Sequence, residues 1–154
     1  METKAPLKIL LTDNDTDDCY FFKQALTGFP DPYELTVVND GEQLMKLLSE
    51  TKQMHDILFL DLNMPRKNGQ ECLLEIRQMP NLNALPVIIF STSYEQDVVN
   101  LLYENGAQYF IRKPPEFNQF KKIIHHTLTF VTQEAPAPAT RDTFVLTYQN
   151  NFSV

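Results

Sequence analysis

Short apolar runs alternate with longer stretches of helical periodicity along most of the chain. The runs are Leu7–Thr12, Tyr33–Val38, Asp56–Leu60, Pro86–Phe90 and Gln108–Arg112. Such alternation predicts strand–helix units and a parallel sheet. The third and fourth runs are apolar nearly throughout. Strands covered on both faces have that pattern, so these two belong at the sheet centre.

Five helices are predicted between and after the runs. Asp15 or Thr16 can cap the first, which carries Phe22, Ala25, Leu26 and Phe29 on one face, with Gly28 near its end. Asp40 can cap the second, with Leu44, Leu47 and Leu48 inward. The third spans about 69–79, with Leu73, Ile76 and Met79 inward and Pro80 stopping it. The fourth spans about 93–105, with Ser93 or Ser91 as cap, Val98, Leu101 and Leu102 inward, and Gly106 just past its end. The fifth spans about 116–132, with Phe120, Ile123, Ile124 and Leu128 inward.

The remainder differs in kind. Residues 133–140 (QEAPAPAT) form a stiff Pro/Ala linker. Residues 143–152 (TFVLTYQNNF) are strand-like and apolar, a liability if left free, so this tail is expected to lie against the domain or a neighbouring copy, which makes a homodimer conceivable. The expected division is a domain at 5–132 and a tail at 133–154. The 22 residues after Thr132 are too few for a DNA-binding or enzymatic output domain.

Composition narrows the class. Hydrophobic residues are 43% of 154, enough for a real core. Thirteen basic against 20 acidic residues give a net charge of −7, which argues against nucleic acid or an anionic membrane as partner. No run approaches the ~20 apolar residues of a spanning helix. The first residues lack a signal-peptide core, so the expected location is the cytoplasm. Cys19 and Cys72 form no disulfide framework or zinc spacing and read as small core residues. His55, His125 and His126 also lack ligand spacing and read as solvated surface residues.

In an open parallel sheet, ligands sit beyond the carboxyl ends of the strands. Those ends carry Asp13, Asn14 and Asp15 after the first run, with Asp17 and Asp18 beyond. Asp61, Leu62, Asn63, Met64 and Pro65 follow the third, Ser91 and Thr92 the fourth, and Lys113 and Pro114 the fifth. An acidic strand end alone is usually a helix cap. Four strand ends that each supply a different part of one site are far more specific.

The segments ILLTDND, DILFLDLNMPRKNG, PVIIFSTS and ENGAQYFIRKPP resemble, in order and spacing, the receiver domain of two-component response regulators. The resemblance covers about residues 5–130, and the isolated build is similar to stand-alone receivers found beside phytochrome-type kinases. It implies a flavodoxin-like α/β fold, a doubly wound five-stranded parallel sheet of order 2-1-3-4-5. It implies that Asp61 is the phosphoacceptor, because a carboxylate can attack phosphorus and form a labile acyl phosphate. Mg²⁺ would then be held by Asp13, Asp61 and the Asn63 carbonyl, and Lys113 would supply a second positive charge. Ser91 and the Thr92 backbone N–H would bond phosphoryl oxygens. Ser91 and Phe110 would form the switch, and the Lys113–Pro114 bond would be cis. The donor would be a histidine kinase or phosphotransfer protein; Tyr20 and Phe21 on the first helix either lie beside the crevice where it would dock or are buried in the core.

One position departs from the family pattern. Asn14 stands where a second metal-binding acid is usual, so Mg²⁺ binding is expected to be weaker unless Asp15 compensates. Two other readings follow. The chain could be a receiver-like interaction module that works without phosphorylation. It could also be a phosphatase similar to the haloacid dehalogenases, with Asp13 as nucleophile, although Thr16 falls one residue early for that motif and no cap domain fits.

Overall fold

The computed structural model describes residues 5–50, 54–132 and 140–148. The strands are β1 (Leu7–Thr12), β2 (Tyr33–Val38), β3 (Ile57–Asp61), β4 (Val87–Ser91), β5 (Tyr109–Arg112) and β6 (Val145–Leu146). The helices are α1 (Thr16–Leu26), α2 (Gly41–Glu50), α3 (Gly69–Gln78), α4 (Gln96–Glu104) and α5 (Phe117–Val131). All pairings are parallel, in the order β2-β1-β3-β4-β5-β6. The flavodoxin-like order 2-1-3-4-5 is therefore present, with one further strand at the edge.

Strand alternation divides the core in two. Ile9, Leu11, Ile57, Phe59, Ile88, Phe90 and Ile111 face α1 and α5, where they meet Phe22, Leu26, Ile124 and Leu128. Leu10, Leu58, Leu60, Ile89 and Phe110 face the other layer, with Leu44, Leu73, Ile76, Val99 and Leu102. Every residue of β3 and β4 is buried, as expected for central strands, whereas β2 is largely exposed at its edge.

Asp15 caps α1, accepting from the N–H groups of Asp17 and Asp18. The Asp40 carboxylate accepts from Gln43 N–H at the start of α2. Asn68 and Glu71 close a capping box on α3. Gly106 has a φ of +94°, the left-handed turn that ends α4.

Helix α4 departs from the expectation. It starts at Gln96, not near Ser93, and Glu95 makes no side-chain capping bond. The Ser93 hydroxyl is engaged by Ser91 and Asn63, which leaves it no part in capping. Val99 and Leu102 form the buried stripe, Val98 is half-buried, and Leu101 is exposed.

The tail is the main addition. Val145 and Leu146 pair with Phe110 and Ile111 of β5. Phe110 N–H donates to Phe144 O at 3.0 Å, and the Phe144 ring is buried edge-on against Tyr103. Arg141 bonds Glu104 and lies over Tyr103. The described part of the tail thus covers the β5 edge of its own sheet, which removes an exposed ladder of backbone groups. The linker, apart from Thr140, and residues 149–154 lie outside the described residues.

Cys19 and Cys72 are buried, as expected, and burial pushes their thiols up to about 11 and about 12. Two of the histidines are less solvated than expected, while His126 is exposed. His125 is half-buried, with Nε2 2.6 Å from Ala25 O across the α1–α5 contact. His126 stacks on Phe130, and His55 is half-buried beside Lys8 and Asp56.

Candidate functional site

The alternation that sorts the core also builds the crevice. Asp61 ends β3 in the row of Phe59, and Asp13 and Lys113 extend the rows of Leu11 and Ile111. All three therefore emerge on the α1/α5 side, while Ser91 continues the row of Ile89 toward α4. Lys113 Nζ lies 2.9 Å from Asp18 Oδ2, 3.2 Å from Asp13 Oδ2 and 4.0 Å from Asp61 Oδ1. Its stem and ammonium are buried over the Phe90 ring, 4.2 Å from the centroid.

One ammonium thus serves three carboxylates. Burial raises the Asp61 carboxyl to about 7, opposed by Lys113 and reinforced by Asp13, with the Asn63 backbone N–H lowering it. Burial likewise raises Asp13, against the pull of Lys113 and of the Asp15 N–H, which donates to Asp13 Oδ1 at 2.9 Å. For Lys113 burial acts to lower the pKa, but Asp13, Asp61 and Asp18 outweigh it and the net shift is upward. The crevice is short of positive charge.

This donor set fits a divalent ion. Mg²⁺ is usually bound through one or two carboxylates, with other oxygens and waters completing the shell. Asp13 and Asp61 supply the carboxylates beside the Asn63 backbone. No cluster of three or more His, Cys, Asp or Glu that could hold a metal ion occurs among the described residues. Asp15 Oδ1 accepts from the N–H groups of Asp17 and Asp18 as the cap of α1.

Ser91 is buried, and its hydroxyl lies 3.0 Å from Ser93 Oγ. Asn63 Nδ2 donates to the same Ser93 oxygen at 3.2 Å. Thr92 is exposed. Phe110 is buried and meets Tyr94 edge-on, with ring centroids 6.1 Å apart. The Lys113–Pro114 bond is trans, contrary to the expectation. Trans is the lower-energy isomer of an X–Pro bond by about 0.5–1 kcal/mol.

Gly69 sets the floor. A Cβ there would lie 2.5 Å from the Asp61 carbonyl oxygen, so only glycine lets α3 begin this close to the end of β3. Beside the carboxylates, a cavity of about 230 Å³ is lined by Asp18, Phe21, Thr92, Lys113, Phe117 and Phe120, among others. Tyr20, Phe21 and Phe117 are exposed around it.

Comparison with known proteins decides the family. Residues 9–125 match the response regulator receiver domain. This chain belongs to that family. It is 29% identical to the response regulator Rcp1 of Synechocystis over 143 residues, 90% of this chain and 97% of the relative. The phosphorylated cyanobacterial phytochrome response regulator RcpA superposes with a TM-score of 0.80 at 30% identity, covering 88% of this chain and all of that one. The Mn²⁺-bound form of Rcp1 gives a TM-score of 0.77 at 28% identity, covering 87% and 100%. As a receiver, the protein is a phosphoacceptor signalling domain of a two-component system, phosphorylated on aspartate, and not a catalytic enzyme. A cognate histidine kinase follows from that membership. The phosphatase reading is set aside by the same match, and the receiver's Asp13 is buried between Lys113 and the Asp15 N–H. No helix among the described residues is long and apolar enough to cross a membrane.

Ser93 is not legible as a site residue from the chain alone, which sets Asp18 only beyond the first strand's end, with no role. Asp18 looks like a first-turn acid favouring the α1 dipole, and only the packing of α1 beside α5 brings it to Lys113.

Proposed function

We propose that Asp61 is the aspartate that receives the phosphoryl group. An Asp61 oxygen attacks phosphorus, the P–N bond of the donor phosphohistidine breaks, and the imidazole leaves with the bonding pair and takes a proton. The 4.0 Å approach of Lys113 to Asp61 carries this reading, because it puts a buried cation beside the attacking carboxylate, where phosphoryl charge would gather. Asp13, Asp61 and the Asn63 carbonyl would hold Mg²⁺, with Asn14 offering an uncharged oxygen. The ion supplies charge neutralisation when bound. The Ser91 hydroxyl and Thr92 N–H donate to phosphoryl oxygens.

Movement of Ser91 toward the phosphoryl group would alter the packing of Phe110 and the surface of α4, β5 and α5. The exposed ring cluster of Tyr20, Phe21 and Phe117 is a docking surface for the apolar face of the donor's helices. Likeness to phytochrome regulators favours a phytochrome-type kinase as donor. The test is intact mass after acetyl phosphate and Mg²⁺: one phosphoryl adduct is expected, absent in Asp61→Asn. No adduct at saturating metal, or an adduct that survives the substitution, rejects the assignment.

A further inference from the structure

The Ser91 hydroxyl is buried, and its hydrogen-bond partner is Ser93. Ser93 N–H donates to Ser91 Oγ at 3.2 Å, and the two hydroxyl oxygens lie 3.0 Å apart. Asn63 Nδ2 donates to Ser93 Oγ from the loop that follows Asp61. A serine hydroxyl has one proton to give. Either hydroxyl can donate across this pair; Ser91 Oγ already accepts from the Ser93 N–H, and its buried proton gains an acceptor when it is directed at Ser93 Oγ. A buried donor left without an acceptor costs more than an ordinary hydrogen bond contributes.

We propose that the Ser93 hydroxyl competes with the phosphoryl group for the Ser91 proton, and so acts as a positioning residue that restrains the switch. This rests on the reading of Asp61 as acceptor. On phosphorylation Ser91 turns its proton to a phosphoryl oxygen, a charge-assisted bond that does not need Ser93. The Ser91–Ser93–Asn63 chain is then released at Ser91. Glu95 makes no side-chain cap, so this chain is one tie on the segment that leads into α4, beside the Tyr94 ring packed on Phe110 and Arg112. That segment lines a cavity of about 160 Å³ with Asn63, Ser93, Val99 and Phe110, so there is room for it to shift.

The competition has an asymmetric consequence. Ser93→Ala leaves the Ser91 proton without its acceptor only in the resting state, so it favours the phosphorylated one. Beryllofluoride, a phosphoryl mimic, is titrated at saturating Mg²⁺ and followed by backbone NMR. Ser93→Ala is expected to bind it about five-fold more tightly than wild type. Ser93→Thr, which keeps the hydroxyl, is expected to restore wild-type affinity. In a Ser91→Ala background the Ser93→Ala effect is expected to vanish. Metal-free Ser93→Ala is expected to show faster amide exchange over residues 92–97. Unchanged or weaker binding in Ser93→Ala, or an effect that persists without Ser91, overturns the inference while leaving Asp61 as acceptor. A wild-type protein that takes up no beryllofluoride overturns the Asp61 reading and this one with it.

Discussion

Lys113 stands farther from Asp61, at 4.0 Å, than from Asp13 or Asp18, at 3.2 and 2.9 Å. The ammonium is held by two acids and reaches the third only electrostatically. It is therefore positioned before any phosphoryl group arrives, and its loss has two effects. Lys113→Ala is expected to slow acetyl phosphate labelling by about 100-fold. Without metal it also leaves Asp13 and Asp61 buried and uncompensated, at a cost of about 3 kcal/mol near neutral pH. Labelling kinetics and urea unfolding measure the two separately.

The raised carboxyl of Asp61 makes metal-free stability depend on pH. The folded protein holds this proton up to about pH 7, whereas the unfolded chain releases it near its ordinary value of 3.8. Between those values the folded state binds more protons, so its stability falls as pH rises through that window and levels off above it. Asp61→Asn is expected to match wild type near pH 4 and exceed it by roughly 1–4 kcal/mol near pH 8. Urea unfolding in a chelator at both pH values checks this.

In the proposed Mg²⁺ site, Asn14 would offer an uncharged oxygen where a carboxylate would add charge. Asn14→Asp is expected to tighten Mg²⁺ binding by about ten-fold, since affinity follows the number of charged ligands. Competition between Mg²⁺ and a chelating dye reads the change without reference to phosphorylation.

Gly69 has a steric role that alanine cannot fill. The added Cβ would meet the Asp61 carbonyl at 2.5 Å and the Leu62 Cα at 3.0 Å, both backbone atoms. Gly69→Ala is expected to cost about 1–3 kcal/mol and to slow labelling by about ten-fold or more, because the end of β3 must shift. Thermal unfolding and labelling rates test the pair of effects.

Phe144 anchors the tail. Truncation of this buried ring in Phe144→Ala is expected to remove about 3 kcal/mol from the docking of β6. Amide exchange at Phe110, whose N–H donates to Phe144 O, should accelerate. Labelling of Asp61 should continue, since the ring lies in the other core layer from Lys113.

Much of this protein is determined locally and was readable from residue order. Continuous apolar runs placed β3 and β4 at the centre, because a strand covered on both faces tolerates few polar residues. Asp15, Asp40 and Gly106 marked helix ends through their own backbone chemistry. The order of strand-end residues identified the acids Asp13 and Asp61 and the lysine that the structure brings together. Tertiary structure decided what depends on distance between elements. It spent Asp15 on a cap, brought Asp18 to Lys113 through the packing of α1 beside α5, drew Ser93 away from α4 to Ser91 and Asn63, and laid the tail on β5. No local pattern encodes these choices. A polar side chain takes whichever partner the fold brings within reach, and that is settled only once the layers close.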